Sequence, residues 1–319
     1  MSALVWRLHR NQALFTAVTL VAFTIAFIVS GVALNHAYHT YLSACAATGI
    51  CDLRSALGTY NVFSDMTELT MAVPLLLGLF WGAPLIAREL EDNTIAFAWT
   101  QGVTRRRWLT WNVGSMLLGG ALWGAVMAAG VSWWRTTDNL AMFPSGRLSP
   151  WFFDIQGIVP IANAVFAIAL GIFLGVVVKR AVPAIALTLG VFAGARIIIA
   201  DFVRPHLLPV ATLRLPFGNG NSLQRSGAWI LSRATFSGTG QLVKPPFVVT
   251  DFPAACRPGG TQSFGGVPAC LNAHGWHTVF AYQPAGRFWP FQSMEAGIFL
   301  VLSALAIWLT YKIVLRRDV

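Results

Sequence analysis

The chain is 319 residues long, 56% hydrophobic and only 11% charged, with a mean hydropathy of +0.63. Soluble domains are about a quarter charged, so this composition excludes a soluble globular enzyme and specifies a polytopic membrane protein. The net charge of +10 reads as membrane orientation, and with no basic patch on a soluble fold, nucleic acid is not an expected partner.

Arg7 and Arg10 precede an apolar run that starts at Ala13. The run outlasts the ~7–15 residues of a signal-peptide core, so it reads as a retained first span. Spans are expected over about 13–35, 66–87, 108–134, 157–178, 181–201 and 294–314. Each reaches the ~20 residues that cross the ~30 Å hydrocarbon layer. The expected fold is therefore an all-α polytopic membrane protein of six transmembrane helices. Its membrane part covers 1–201, a loop or cap covers 202–293, and the last span and tail cover 294–319.

Charge sets the orientation. With the N-terminus inside, short inner segments hold Arg7, Arg10, Arg88, Arg105, Arg106, Arg107, Lys179, Arg180, Lys312, Arg316 and Arg317. The two shorter outer loops hold only Arg54, Arg135 and Arg147. Basic residues flank spans on the cytoplasmic side, so both termini are expected in the cytoplasm.

All four cysteines fall in segments assigned to the outside, where disulfides persist. Local bridges Cys45–Cys51 and Cys256–Cys270 are the simplest pairing. A rival reading takes Cys256, Cys270, His274 and His277 as a zinc site, although their spacing matches no standard finger. Pro and Gly punctuate 202–293 (KPPF, RPGGTQSFGG), with short β-prone pieces such as FVVT. An irregular, disulfide-stapled extracytoplasmic cap is expected there.

Three spans carry glycine pairs four apart: Gly120/Gly124, Gly171/Gly175 and Gly190/Gly194. Small residues at this spacing let helix backbones approach closely in lipid, within one subunit or between two. Arg196 and Asp201 lie near the outer end of span five and read as snorkelling residues. Glu295, behind Ser293, reads as first-turn capping of span six. No carboxylate chain is evident at mid-membrane, which disfavours ion coupling. Enzyme chemistry has no foothold either. There is no H-E-x-x-H, and His36 and His39 lack an acidic partner nearby. With no Gly-Lys dipeptide there is no Walker A loop, so any ATP must be bound by another polypeptide. No cofactor or metal is assigned to this chain.

RELEDNTIAFAWTQGVTRRRW, residues 88–108, stands apart as the most charged stretch. A surface helix from Leu85 would put Ile86, Leu90 and Phe97 near one face, with Glu89, Glu91 and Asp92 on others. Pro84 reads as the end of span two and Gly102 as a helix breaker. Thr104 is placed to N-cap span three, with Arg105, Arg106 and Arg107 as an anchor at the lipid headgroups. Membrane-surface helices usually carry basic polar faces. Acids here point instead to a protein partner.

Three stretches carry a family likeness: WRLHRNQ (6–12), GAPLIARELEDNTIAFAWTQGVTRRRW (82–108) and AYQPAGRFWPFQSMEAGIF (281–299). Together they resemble the permease subunits of type-2 ABC exporters, especially actinobacterial members. The resemblance implies that 88–101 is a coupling helix docking on a cytoplasmic ATPase subunit. Arg88, Glu89, Glu91, Asp92, Thr94 and Trp99 lie in that loop, with Glu89 and Glu91 at the acidic positions facing the partner. Asn93 departs from the Gly common in the family, and Trp111-Asn112 replaces a basic position. The resemblance also implies a multi-pass protein of the bacterial plasma membrane, paired with a second permease copy. It would move a small, apolar or amphipathic molecule outward, with ATP and Mg held by the ATPase chain. A membrane scaffold or sensor with a ligand-binding outer cap and no transport is the alternative.

Overall fold

The structure, a computed structural model, describes residues 2–48, 62–91, 104–136, 146–257 and 266–316. It divides into two compact units. The first comprises Met1–Met142, Trp151–Phe202 and Gln292–Val319; the second comprises Phe143–Pro150 and Val203–Phe291.

The first unit is helical. Helix α1 (Ser2–Thr48) is followed by α2 (Val62–Leu77), which passes through a π-helical turn (Gly78–Gly82) into α3 (Ala83–Glu91). After α4 (Arg105–Thr136) and a short α5 (Pro150–Phe153) come α6 (Val159–Val178) and α7 (Ala181–Ile197). Helix α7 ends in a second π-helical turn, Ile198–Val203. The last helix, here α10 (Phe288–Arg316), returns to this unit after the second one. Among the described residues, six segments are long and apolar enough to cross a bilayer: Val21–Ala47, Thr70–Glu91, Arg105–Trp133, Val159–Val178, Ala181–His206 and Ala285–Arg316.

Three boundaries differ from the expectation, each for a local reason. Helix α1 continues past His36 and His39 because no Gly or Pro interrupts the chain between Gly31 and Gly49. Pro84 does not end the second span. Pro has no N–H to give, and the preceding π-turn, in which the Ala83 N–H donates to the Gly78 carbonyl, lets the helix run on to Glu91. The last helix starts at Phe288, so Ser293 and Glu295 lie inside it rather than at its cap.

Helix α6 is the axis of this unit, with the highest hydropathy of the six spans and most of its residues buried. Ile168, Ile172 and Val176 join Ile86, Leu109, Val113 and Trp123 in the main apolar cluster. Lipid supplies no hydrophobic drive between helices, so contact comes from backbone approach. A Cβ on Gly82 would stand 2.6 Å from the Ile168 carbonyl oxygen, and one on Gly171 would stand 2.5 Å from that of Gly78. On the α4 side, a Cβ on Gly124 would come within 2.8 Å of Ile161 Cα. Two of the three glycine pairs are thus consumed inside the chain. Among the described residues, nothing lies within 4 Å of where a Cβ would be on Gly190 or Gly194.

The second unit corrects the expectation of an all-α fold with an irregular cap. It holds a four-stranded antiparallel sheet in the order β1-β4-β2-β3, from β1 (Ala211–Pro216), β2 (Trp229–Phe236), β3 (Leu242–Val243) and β4 (His277–Gln283). Short helices α8 (Gly220–Arg225) and α9 (Gly266–Ala273) sit between strands. The strands are rich in β-branched and aromatic residues (WILSRATF, HTVFAYQ). Intervening Gly and Pro hid that signal by cutting it into pieces. FVVT is not a strand: Val249–Asp251 forms a 3-10 turn just after Pro245 and Pro246. Leu223 of α8 and Ala228 pack on Phe280. Leu271 and Trp276 form a second small core with Cys256 and Cys270.

Candidate functional site

One end of the helical unit gathers three of the segments that the charge count assigned to the inside, those at the end of α3 and start of α4, between α6 and α7, and at the end of α10. Helix α6 closes on Lys179, whose φ of 60° turns the chain left-handed. Arg180 is then extended and offers no side-chain cap to α7. The first amide of α7 is satisfied from elsewhere: Ala181 N–H donates to Glu91 Oε2 at 3.0 Å. A carboxylate also suits the positive end of the helix dipole. Glu91, expected to face a partner protein, is exposed and also caps a neighbouring helix.

The rest of the end is built by similar local chemistry. Thr104 Oγ1 accepts from the Arg107 N–H at 3.4 Å, the N-cap that the sequence predicts for α4. Tyr311 of α10 donates its hydroxyl to Thr110 Oγ1 at 2.9 Å, joining the last helix to α4. Lys312 lies over the Trp308 ring, 4.1 Å from its centroid. Arg88, Arg106, Arg107, Lys179 and Arg180 are exposed; Arg105 and Glu89 are partly covered. Asp92, Thr94 and Trp99 lie outside the described residues.

The other end of the unit holds polar residues that sequence reasoning missed. Arg196 does not snorkel: its Nη2 sits 2.7 Å from Asp154 Oδ2, a carboxylate just before α6. The guanidinium also lies 5.9 Å from the Phe299 ring centroid. Phe299 touches Phe166, which stacks on Phe192. Glu295 is fully buried, not exposed at a helix start. Asn163 Oδ1 and Gln156 Nε2 are buried without hydrogen-bond partners among the described residues. A signal existed for part of this: in SPWFFDIQG an acid and an amide stand directly ahead of a span.

Gln292 organises the turn between α5 and α6. Its Oε1 accepts from the Ile158 and Val159 N–H groups, both at 2.9 Å, and its Nε2 donates to the Phe153 carbonyl at 2.9 Å. Gly157, at φ +69°, has no Cβ, and one there would stand 2.6 Å from that same Oε1. One carboxamide thus caps a helix from 133 residues away. Gln292→Leu is expected to cost about 2 kcal/mol, the desolvation left by buried unpaired amides. Thermal unfolding of the detergent-solubilised protein measures this, and an unchanged midpoint would contradict the capping role.

In the second unit, Cys256 and Cys270 are disulfide-bonded, with Cα atoms 5.5 Å apart. The Cys45–Cys51 pairing lies outside the described residues at Cys51. The possible ligand atoms of Cys256, Cys270 and His274 lie within 4.8 Å of one another, but the two sulfurs are bonded to each other. His277 stands apart, its Nδ1 near Arg214 Nη2 and the Gly275 carbonyl, both at 3.1 Å.

A family model described as ABC-2 membrane transporter related matches residues 17–204. The match takes in the first five spans, Glu89, Glu91, Arg105–Arg107 and the Arg196 site, and stops before β1. No protein of curated function and no solved structure matches the chain.

Proposed function

The chain belongs to the ABC-2 membrane transporter related family, and from that premise we propose that it is the permease subunit of an ABC exporter. Its spans would carry a small apolar or amphipathic molecule outward across the bacterial plasma membrane, with both termini in the cytoplasm. ATP and Mg would be bound and hydrolysed on a separate ATPase chain that docks on 88–107. The observation that carries the reading is the family match over the five spans surrounding that loop.

The geometry supports a definite mechanical role for the loop. Its entry, α3, follows a π-turn whose Gly78 and Gly82 pack backbone to backbone on α6, and Ala83 at the start of α3 lies against Gly171 and Gly175. The same entry holds the start of α7 through Glu91. Motion imposed on 88–107 would therefore reach α6 and α7 together, with no slack side-chain layer between. Swinging such an assembly from 1:99 to 99:1 between two packings needs about 5.5 kcal/mol of differential binding, within reach of ATP-driven closure. A second permease copy would complete the path by closed symmetry. The unfilled Gly190/Gly194 stripe on α7 is consistent with a helix partner of that kind.

The docking contact is tested at Glu89. Glu89→Lys is expected to weaken co-purification with the cognate ATPase subunit at least about tenfold and to abolish stimulation of its ATPase activity, as a reversed charge at a docking contact does. Retention of both would remove the docking assignment.

A further inference from the structure

Strand β2 is paired on both sides over only part of its length. Strand β4 lies along it from Trp229 to Phe236, but β3 covers its other edge only at Thr235 and Phe236. That ladder stops because Lys244 is followed by Pro245 and Pro246, which have no N–H to give. Among the described residues, the edge from Trp229 to Ala234 is left without a strand partner.

A cleft of about 620 Å³ follows this edge. One wall is the unbroken run Ala228–Arg233. Thr235 of β2 and Thr278 and Phe280 of β4 line it as well, every second residue of their strands, so the cleft runs along β2 and also over the face that β2 shares with β4. Asn221 and Gln224 of α8 line the cleft, with Phe217 and Phe247 supplying apolar surface. Among the described residues, no acidic residue lines it and Arg233, which is exposed, is its one charged lining residue.

The bulge between Ile230 and Ser232, the charge of Arg233 and the two prolines also discourage edge-to-edge aggregation. Aggregation control alone, however, requires no amide-bearing, aromatic-lined channel beside the edge. We propose that the cleft binds an extended, acidic peptide segment of another polypeptide, which adds as a strand to the open edge of β2 and sets a carboxylate against Arg233. Main-chain hydrogen bonds would supply affinity, and the cleft residues selectivity. The inference is independent of the transporter reading, since binding requires neither ATP nor transport.

The test uses the full chain in nanodiscs, panned with a phage-displayed random heptapeptide library after subtraction on empty nanodiscs. Enriched peptides are expected to combine β-formers with Asp or Glu. A synthetic copy N-methylated at alternate amides should bind at least about tenfold more weakly, as should the unmodified peptide to Arg233→Glu. Arg233 is exposed, so that variant should unfold at the parental temperature. No enrichment, or equal binding by the N-methylated peptide or by Arg233→Glu, overturns the proposal. So does saturable, Arg233-dependent binding of 2-naphthalenesulfonate with no peptide enriched, which would mark a small-anion site.

Discussion

Gly171→Val is expected to destabilise the helical unit by about 3 kcal/mol, at the upper end of overpacking costs. Its Cβ would lie 2.5 Å from the Gly78 carbonyl oxygen and 2.7 Å from the Ala83 nitrogen. Both obstacles are backbone atoms, so no side chain can swing aside. The π-turn that brings this backbone close is itself the device that admits Pro84, so the helix has little freedom to withdraw. Gly190→Val supplies the contrast. A Cβ there meets nothing within 4 Å among the described residues, so the cost for the isolated chain should stay within about 0.5 kcal/mol. Unfolding of both variants in the same detergent, by heat or denaturant, gives the comparison. Equal effects at the two glycines would show that the α3–α6 contact is not the tight one.

Arg196→Met is expected to cost about 3–5 kcal/mol, the range for removing one partner of a buried ion pair. Asp154 has a side chain only 6% exposed, and Arg196 18%. The carboxylate would lose its guanidinium in surroundings that include the Phe299 ring. Asp154→Leu should be similarly damaging. The double variant Asp154→Leu/Arg196→Met should recover most of the loss, because desolvating a charge pair offsets much of its attraction. A double-mutant cycle by thermal unfolding reads this directly. Single variants within 1 kcal/mol of the parent would show that the pair is solvated and structurally idle.

The loop residues divide in an instructive way. Glu89 and Glu91 look alike in the sequence, two acids on one short helix end. The arrival at Glu91 of the Ala181 N–H, first amide of a helix that lacks a cap from Arg180, is visible only in space. Likewise Arg196 and Glu295 were readable as charges near span ends. What Arg196 faces was not readable, because Asp154 stands 42 residues away in the chain, and Gln292 likewise reaches the Ile158 and Val159 amides from more than 130 residues away.

The sequence by itself determined that this chain lives in a membrane, how many apolar helices it has and about where they lie. Each of those properties follows from about 20 consecutive side chains meeting lipid. The likeness around 82–108 also reached the family, because its residues are contiguous. Tertiary structure alone decided the four-stranded sheet, the continuation of the second span through Pro84, the two glycine pairs consumed in packing, and the Asp154–Arg196 and Gln292 clamps. Strand pairing, backbone approach and buried polar partnership are relations between distant segments, and no local window of residues encodes them.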